Sequence, residues 1–199
     1  MNKIDINSPK VLGLDVSTKT IGIALFDTNS EHLLELTHLS PIPKSEMSSK
    51  IEELIIKSNL FKIKLEEYKN IGITKVIIEE PLLTSNNVNT VGILMRFNTL
   101  VCKEVFDVLN IIPEFISTYN ARKFAYPELT NKNEKGKEVL FGGYDKNVDK
   151  KNLIWELVAK KEPQIKWHYS KNNKLKKENF DQTDAYTAVL GYMKMKNIW

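Results

Sequence analysis

Two apolar runs lie only four residues apart near the start of the chain, Val11 to Val16 and Ile21 to Phe26, with Ser17-Thr18-Lys19-Thr20 between them. A link that short cannot carry a parallel crossover, which needs a dozen or more residues. If both runs are strands, they pair antiparallel. A third candidate, His32 to Leu39, follows after another short link, so the chain is expected to open with an antiparallel meander.

Beyond Pro41 and Pro43 the pattern changes. Met47, Ile51, Leu54, Ile55, Phe61, Leu65 and Tyr68 recur at the three-to-four spacing of one helix stripe, with Ser45 or Ser48 as N-cap and Gly72 at the end. Lys75 to Ile78 is a compact β-branched run of the kind that fills a buried central strand, ending in Glu79-Glu80-Pro81. A helix is expected over Val91 to Leu109, a short strand over Pro113 to Ser117, and helices over Asn152 to Lys160 and Phe180 to Met195. Residues 127–147 read as a long excursion, with Lys137 to Phe141 as one arm of a small hairpin. Residues 162–178 read as a polar loop, whose Trp167 could stack on a base or pack in the core. Residues 1–9 read as a loose arm.

The order βββ, α, β, α, β, α, α predicts an α/β fold. Its mixed sheet has three antiparallel strands and then parallel ones, with helices on both faces. At 199 residues the chain fits one domain over 1–199. No apolar stretch approaches the roughly 20 residues of a membrane span. The first ten residues lack the apolar core of a secretory signal, and Cys102 is the only cysteine, which fits a reducing cytoplasm. Net charge is only +4, but ten lysines crowd Lys146 to Lys177. Such a run is either a solvated surface or a phosphate-binding face.

Four carboxylates occupy unusual places. Asp15 interrupts an apolar strand, where an uncompensated charge costs several kcal/mol. Glu79 ends the central strand, with Glu80 as the alternative beside it. Asp181 and Asp184 stand three apart, on one face of the last helix; Asp181 could also serve only as a helix cap. Convergent carboxylates repel one another, so some are expected to titrate above their ordinary range unless a cation joins them. Mg²⁺ prefers such hard oxygen ligands. Two Mg²⁺ ions about 3.5–4 Å apart can activate a water and steady the leaving oxygen of a phosphodiester. The histidines, His32, His38 and His168, are scattered and suggest no competing zinc site.

The motifs Leu12-Gly13-Leu14-Asp15-Val16-Ser17 with Thr20-Ile21-Gly22-Ile23-Ala24, Val76-Ile77-Ile78-Glu79 and Asp181-Gln182-Thr183-Asp184-Ala185 together resemble the RuvC group of Holliday-junction resolvases, within the RNase H-like superfamily. The resemblance covers about residues 10–195 and implies an RNase H-like sheet. It implies a homodimeric, Mg²⁺-dependent endonuclease for four-way or branched DNA, with Mn²⁺ able to substitute. Asp15, Glu79, Asp181 and Asp184 would be the metal ligands, with Asp15 shared between the ions. By the same resemblance Lys123 and Lys150 are expected near the scissile phosphate, and Lys19 and Lys151 join them as nucleic-acid contacts. The helix Val91 to Leu109 would lie at the dimer interface. The long 127–147 excursion departs from the group's pattern. The lysine- and asparagine-rich composition suggests an AT-rich genome, and a phage source is the guess that follows.

Three other readings compete. An RNase H-fold nuclease acting on RNA or an RNA–DNA hybrid would share the acidic pattern, and a non-catalytic nucleic-acid-binding module could keep the fold. The Asp15 to Asp27 segment also resembles the phosphate loop of actin-like ATPases and sugar kinases. Those proteins need two such lobes, and 199 residues provide one, so no nucleotide cofactor is expected.

Overall fold

The computed structural model describes residues 8–39, 49–81 and 88–199. Strands β1 (Lys10–Val16), β2 (Ile21–Asp27) and β3 (Leu33–Leu39) form the expected meander. The turn between β1 and β2 is held by Ser17, whose hydroxyl accepts from the Thr20 N–H and whose own N–H donates to the Thr20 carbonyl. Strands β4 (Ile73–Glu79) and β5 (Glu114–Ile116) add on the far side of β1, both parallel to it, giving the order β3-β2-β1-β4-β5. Three antiparallel strands followed by parallel ones is the arrangement expected from the short links and the element order.

Alternation along the strands sorts the two faces. Leu12, Leu14, Ile21, Ile23, Leu25, Val76 and Ile78 turn to one side. There they meet α1 (Lys50–Tyr68) and α2 (Val88–Leu109), which present Leu54, Phe61, Leu65, Phe97, Val101 and Val105 at helical spacing. Val11, Ala24, Phe26, Ile77 and Ile116 turn to the other side. This second core is closed by α3 (Thr118–Ala125), α4 (Lys150–Lys161) and α5 (Glu178–Met195).

The first helix differs from its expected stripe. Ile51 and Ile55 are 47% exposed, while Glu53 and Lys57 are buried. These two form an ion pair of 2.8 Å, and Lys57 also donates to the Thr18 carbonyl in the β1–β2 turn. A paired charge with a backbone partner can occupy an interior position that an isoleucine leaves. Ser49 is the N-cap, accepting from the Glu52 N–H; Ser45 and Ser48 lie outside the described residues, as does most of the expected N-terminal arm. In α2, Cys102 is half-buried.

The helix α3 was not expected. It is short, it buries only Ala121 and Ala125, and it has no large apolar stripe. Its signals are capping ones: the Ser117 hydroxyl accepts from the Asn120 N–H, and Pro127 prevents continuation. The 127–147 excursion holds the small hairpin, β6 (Thr130–Lys132) against β7 (Glu138–Leu140), with Phe141 tucked into the core behind it. In the 162–178 segment Trp167 packs against the core, with its ring nearly perpendicular to Trp155 at 5.9 Å. That placement favours the packing role over base stacking. No described helix is long and apolar enough to cross a membrane.

Helix α5 is the pivot of the second face, and glycines set how closely it lies. A Cβ at Gly22 would fall 2.0 Å from the Asp181 carbonyl oxygen, and one at Gly13 would fall 2.5 Å from that of Ala185. Only hydrogen side chains on β1 and β2 let the helix backbone rest on the strands there. Gly191 similarly admits α3, since its Cβ would meet the Ala121 carbonyl at 2.2 Å.

Candidate active site

Those close approaches bring the acidic residues together. In β1 and β4, Leu14 pairs with Ile78, so the next residues, Asp15 and Glu79, stand level on adjacent strands and on the α5 face. Asp15 also pairs with Gly22, the residue on which the start of α5 rests. One turn of α5 then carries Asp181 and Asp184 over the same end of the sheet. All four carboxylates line one open cleft, with Thr118, Arg122 and Lys151.

Each carboxylate has a distinct setting. Burial, then repulsion from Glu79, Asp184 and Asp181, pushes the Asp15 carboxyl well above its usual range. Burial and Asp184 push Glu79 up to about 7, against the pull of the Thr118 hydrogen bond, Arg122 and Lys151. Asp181 is pushed up to about 6, chiefly by burial. Thr118 donates to Glu79 Oε1 at 2.6 Å, and Thr20 donates to Asp181. Asp184, 5% exposed, is the compensated member: Arg122 reaches its Oδ1 at 3.1 Å and Lys151 its Oδ2 at 3.4 Å. Burial works against the charge of Lys151, but Asp184, Asp15 and Asp181 raise its pKa above the ordinary lysine value.

The predicted lysines divide. Lys151 and Lys19 lie in or beside the cleft. Lys150, one residue earlier, sits with its ammonium 5.5 Å from the centre of the Phe141 ring. Lys123 pairs with Glu138 of the hairpin, and its neighbour Arg122 faces the carboxylates instead. Adjacent helical residues point about 100° apart, given 3.6 residues per turn. Of the lysines named from the resemblance, Lys151 therefore faces the carboxylates, whereas Lys123 and Lys150 point elsewhere. Arg122 was missed because α3 was missed. Two of the histidines are not scattered: His38 and His168 meet edge to face at 5.2 Å, and His38 Nδ1 lies 2.8 Å from the Gln182 amide nitrogen.

Among the described residues, no three His, Cys, Asp or Glu side chains are gathered closely enough to form a ready-made metal site. Arg122 and Lys151 supply the positive charge, and Asp184 is turned to them. The donor set nevertheless suits a hard divalent cation. It is all carboxylate, it carries mutual repulsion, and Glu79 Oε2 is buried with no hydrogen-bond partner among the described residues.

Similar folds are found among solved structures. Thermus thermophilus RuvC in complex with a Holliday junction substrate matches with a TM-score of 0.59 at 10% identity, over 94% of this chain and 95% of that one. A second Thermus thermophilus RuvC structure matches at 0.56 and 13% identity, over 94% and 96%. A ROK-family transcriptional regulator, a homologue of E. coli MLC, matches at 0.41 and 13% identity, over 63% of this chain and 32% of that one. No family model matches the sequence, and no curated protein matches it. The sheet order, strand directions and flanking helices define an RNase H-like fold of the kind RuvC has.

Proposed function

We propose that this chain is a divalent-metal-dependent endonuclease, acting as a single RNase H-like domain, that resolves four-way or branched DNA. The observation carrying this reading is the convergence of Asp15, Glu79, Asp181 and Asp184 in one cleft, with Glu79 Oε2 buried and unpartnered among the described residues. The likeness of the fold to RuvC, seen with a Holliday junction substrate, supports the choice of DNA.

In this reading the four carboxylates hold Mg²⁺, or Mn²⁺ in its place. The bound ions would supply an activated water and a counter-charge for the leaving oxygen of a phosphodiester. The protein's own contribution is positioning. Thr118 and Thr20 orient Glu79 and Asp181 through their hydroxyls. Arg122 and Lys151 counter the charge of Asp184 and stand at the cleft wall, where a phosphate would meet them. Lys19 would add a cationic contact beside the cleft, whereas Lys150 over Phe141 and Lys123 paired with Glu138 would meet DNA only outside it. Exposed Val88, Met95 and Phe106 on α2 suit a homodimer, whose two-fold axis would present two clefts to a four-way junction.

The test is cleavage of a synthetic four-way junction in Mg²⁺ by the wild-type chain and by Asp15→Asn, with an RNA–DNA hybrid in parallel. Junction cutting by the wild type alone is expected. Equal cutting by both chains would remove the assignment, and preference for the hybrid would move the substrate from branched DNA to RNA.

A further inference from the structure

Beside the carboxylates, a second cleft of about 520 Å³ opens between the β1–β2 turn and the start of α5. It shares Ser17, Lys151 and Asp181 with the first, so the two are continuous. Its volume falls within the roughly 300–1,000 Å³ of sites that hold a small organic ligand. The new wall residues are Lys19, Lys177 and Phe180, with Glu178 at the same end as Asp181. Lys19 and Lys177 are exposed and, among the described residues, form none of the ion pairs that engage Arg122 and Lys123. The Phe180 ring is half-buried and lies 5.9 Å from the Lys151 ammonium.

Three lysines and an aromatic ring line this one cleft, with the carboxylates of Glu178 and Asp181 at its α5 end. Ammonium groups neutralise phosphates and release their counterions. An aromatic wall gains from a base only if the face of that base is bare, as it is in an unpaired strand and not inside a duplex. We infer that this cleft seats an unpaired nucleotide flanking the scissile phosphate, with Lys19 and Lys177 on the backbone and Phe180 against the base. The inference rests on the nuclease reading and narrows it. The preferred substrate is a strand that leaves its duplex beside the cleavage point, rather than any branched DNA with fully stacked arms.

The experiment measures binding by the full chain in an Asp15→Asn background, which prevents turnover, using a duplex with a short unpaired flap and a blunt duplex of the same total length. The parent should prefer the flap. Phe180→Leu should weaken flap binding by about 5- to 150-fold, the range for removing one base–aromatic stack, and leave the blunt duplex unchanged. Lys19→Gln with Lys177→Gln, at exposed positions, should flatten the dependence of log affinity on log salt by about 1.4, since each single-strand phosphate that a lysine neutralises accounts for about 0.7. That second variant keeps the test decisive if Phe180→Leu fails to fold. Unchanged flap affinity and salt slope in the variants, with good binding by the parent, overturns the cleft assignment alone. A parent that binds a synthetic four-way junction but shows no preference for the flap also overturns the cleft assignment alone, and failure of the parent to bind the junction as well as both of these DNAs overturns the nuclease reading beneath it.

Discussion

Replacing Glu79 by Gln isolates the electrostatic tension of the cleft. The Glu79 carboxyl stands at about 7, against an ordinary value of 4.5, because burial and Asp184 disfavour its charge. Its folded pKa is thus raised above its unfolded one. The associated stability is complete below about pH 4.5 and is lost as pH rises through 7. At about 1.4 kcal/mol per pH unit, the span corresponds to about 3 kcal/mol. The cleft is open to solvent and ions, so about 1–2 kcal/mol is the expected share. The amide introduced by Glu79→Gln still accepts from Thr118 but carries no charge. For a chain of this length each kcal/mol moves the melting temperature by about 2–4 °C. In EDTA, the two proteins should melt together near pH 4.5, and Glu79→Gln should melt about 2–8 °C higher at pH 8. Thermal melts followed by circular dichroism across that range measure the difference. A gap that stays constant with pH would mean that the glutamate carries no strain that ionisation creates, against this prediction.

Two further substitutions test how the cleft is built. At Gly22 a Cβ would fall 2.0 Å from the Asp181 carbonyl oxygen, so Gly22→Ala must lift the start of α5; a loss of about 1–3 kcal/mol in chemical denaturation is expected, together with weaker metal binding by calorimetry. Asp181 and Asp184 should respond in opposite directions in metal-free protein at pH 8. Asp181→Asn removes a carboxylate held up at about 6 and should raise the melting temperature, whereas Asp184→Asn strips the largely buried Arg122 of its partner and should lower it by about 4–8 °C, equivalent to about 2 kcal/mol.

The sheet was legible because its constraints are short-range. The four residues between β1 and β2 dictate an antiparallel pair, and a charge in an otherwise apolar strand marks Asp15. The spacing of Asp181 and Asp184 places both on one helix face, whatever the helix packs against. Other features depended on contacts distant in sequence. Gly13 and Gly22 look like ordinary strand glycines until α5 is laid across them. Helix α3 has no apolar stripe, since it packs through Ala121 against Gly191 at a distance that excludes larger side chains. Its only local marks were the Ser117 cap and Pro127. Which basic residue of Arg122–Lys123 or Lys150–Lys151 faces the carboxylates was not legible, because orientation around a helix follows from packing rather than from composition. The compensation of Asp184 by Arg122 was out of reach for the same reason: four carboxylates suggested repulsion throughout, and one of them is neutralised by a helix that the pattern did not show.

If these four carboxylates form a cation site, diffraction from crystals soaked in Mn²⁺ will reveal the ion. Anomalous density is expected between Asp15, Glu79 and Asp184, with Asp184 drawn away from Arg122 and Lys151 and with Glu79 Oε2 engaged. An empty cleft at saturating Mn²⁺, with Asp184 still held by both cations, would contradict the account.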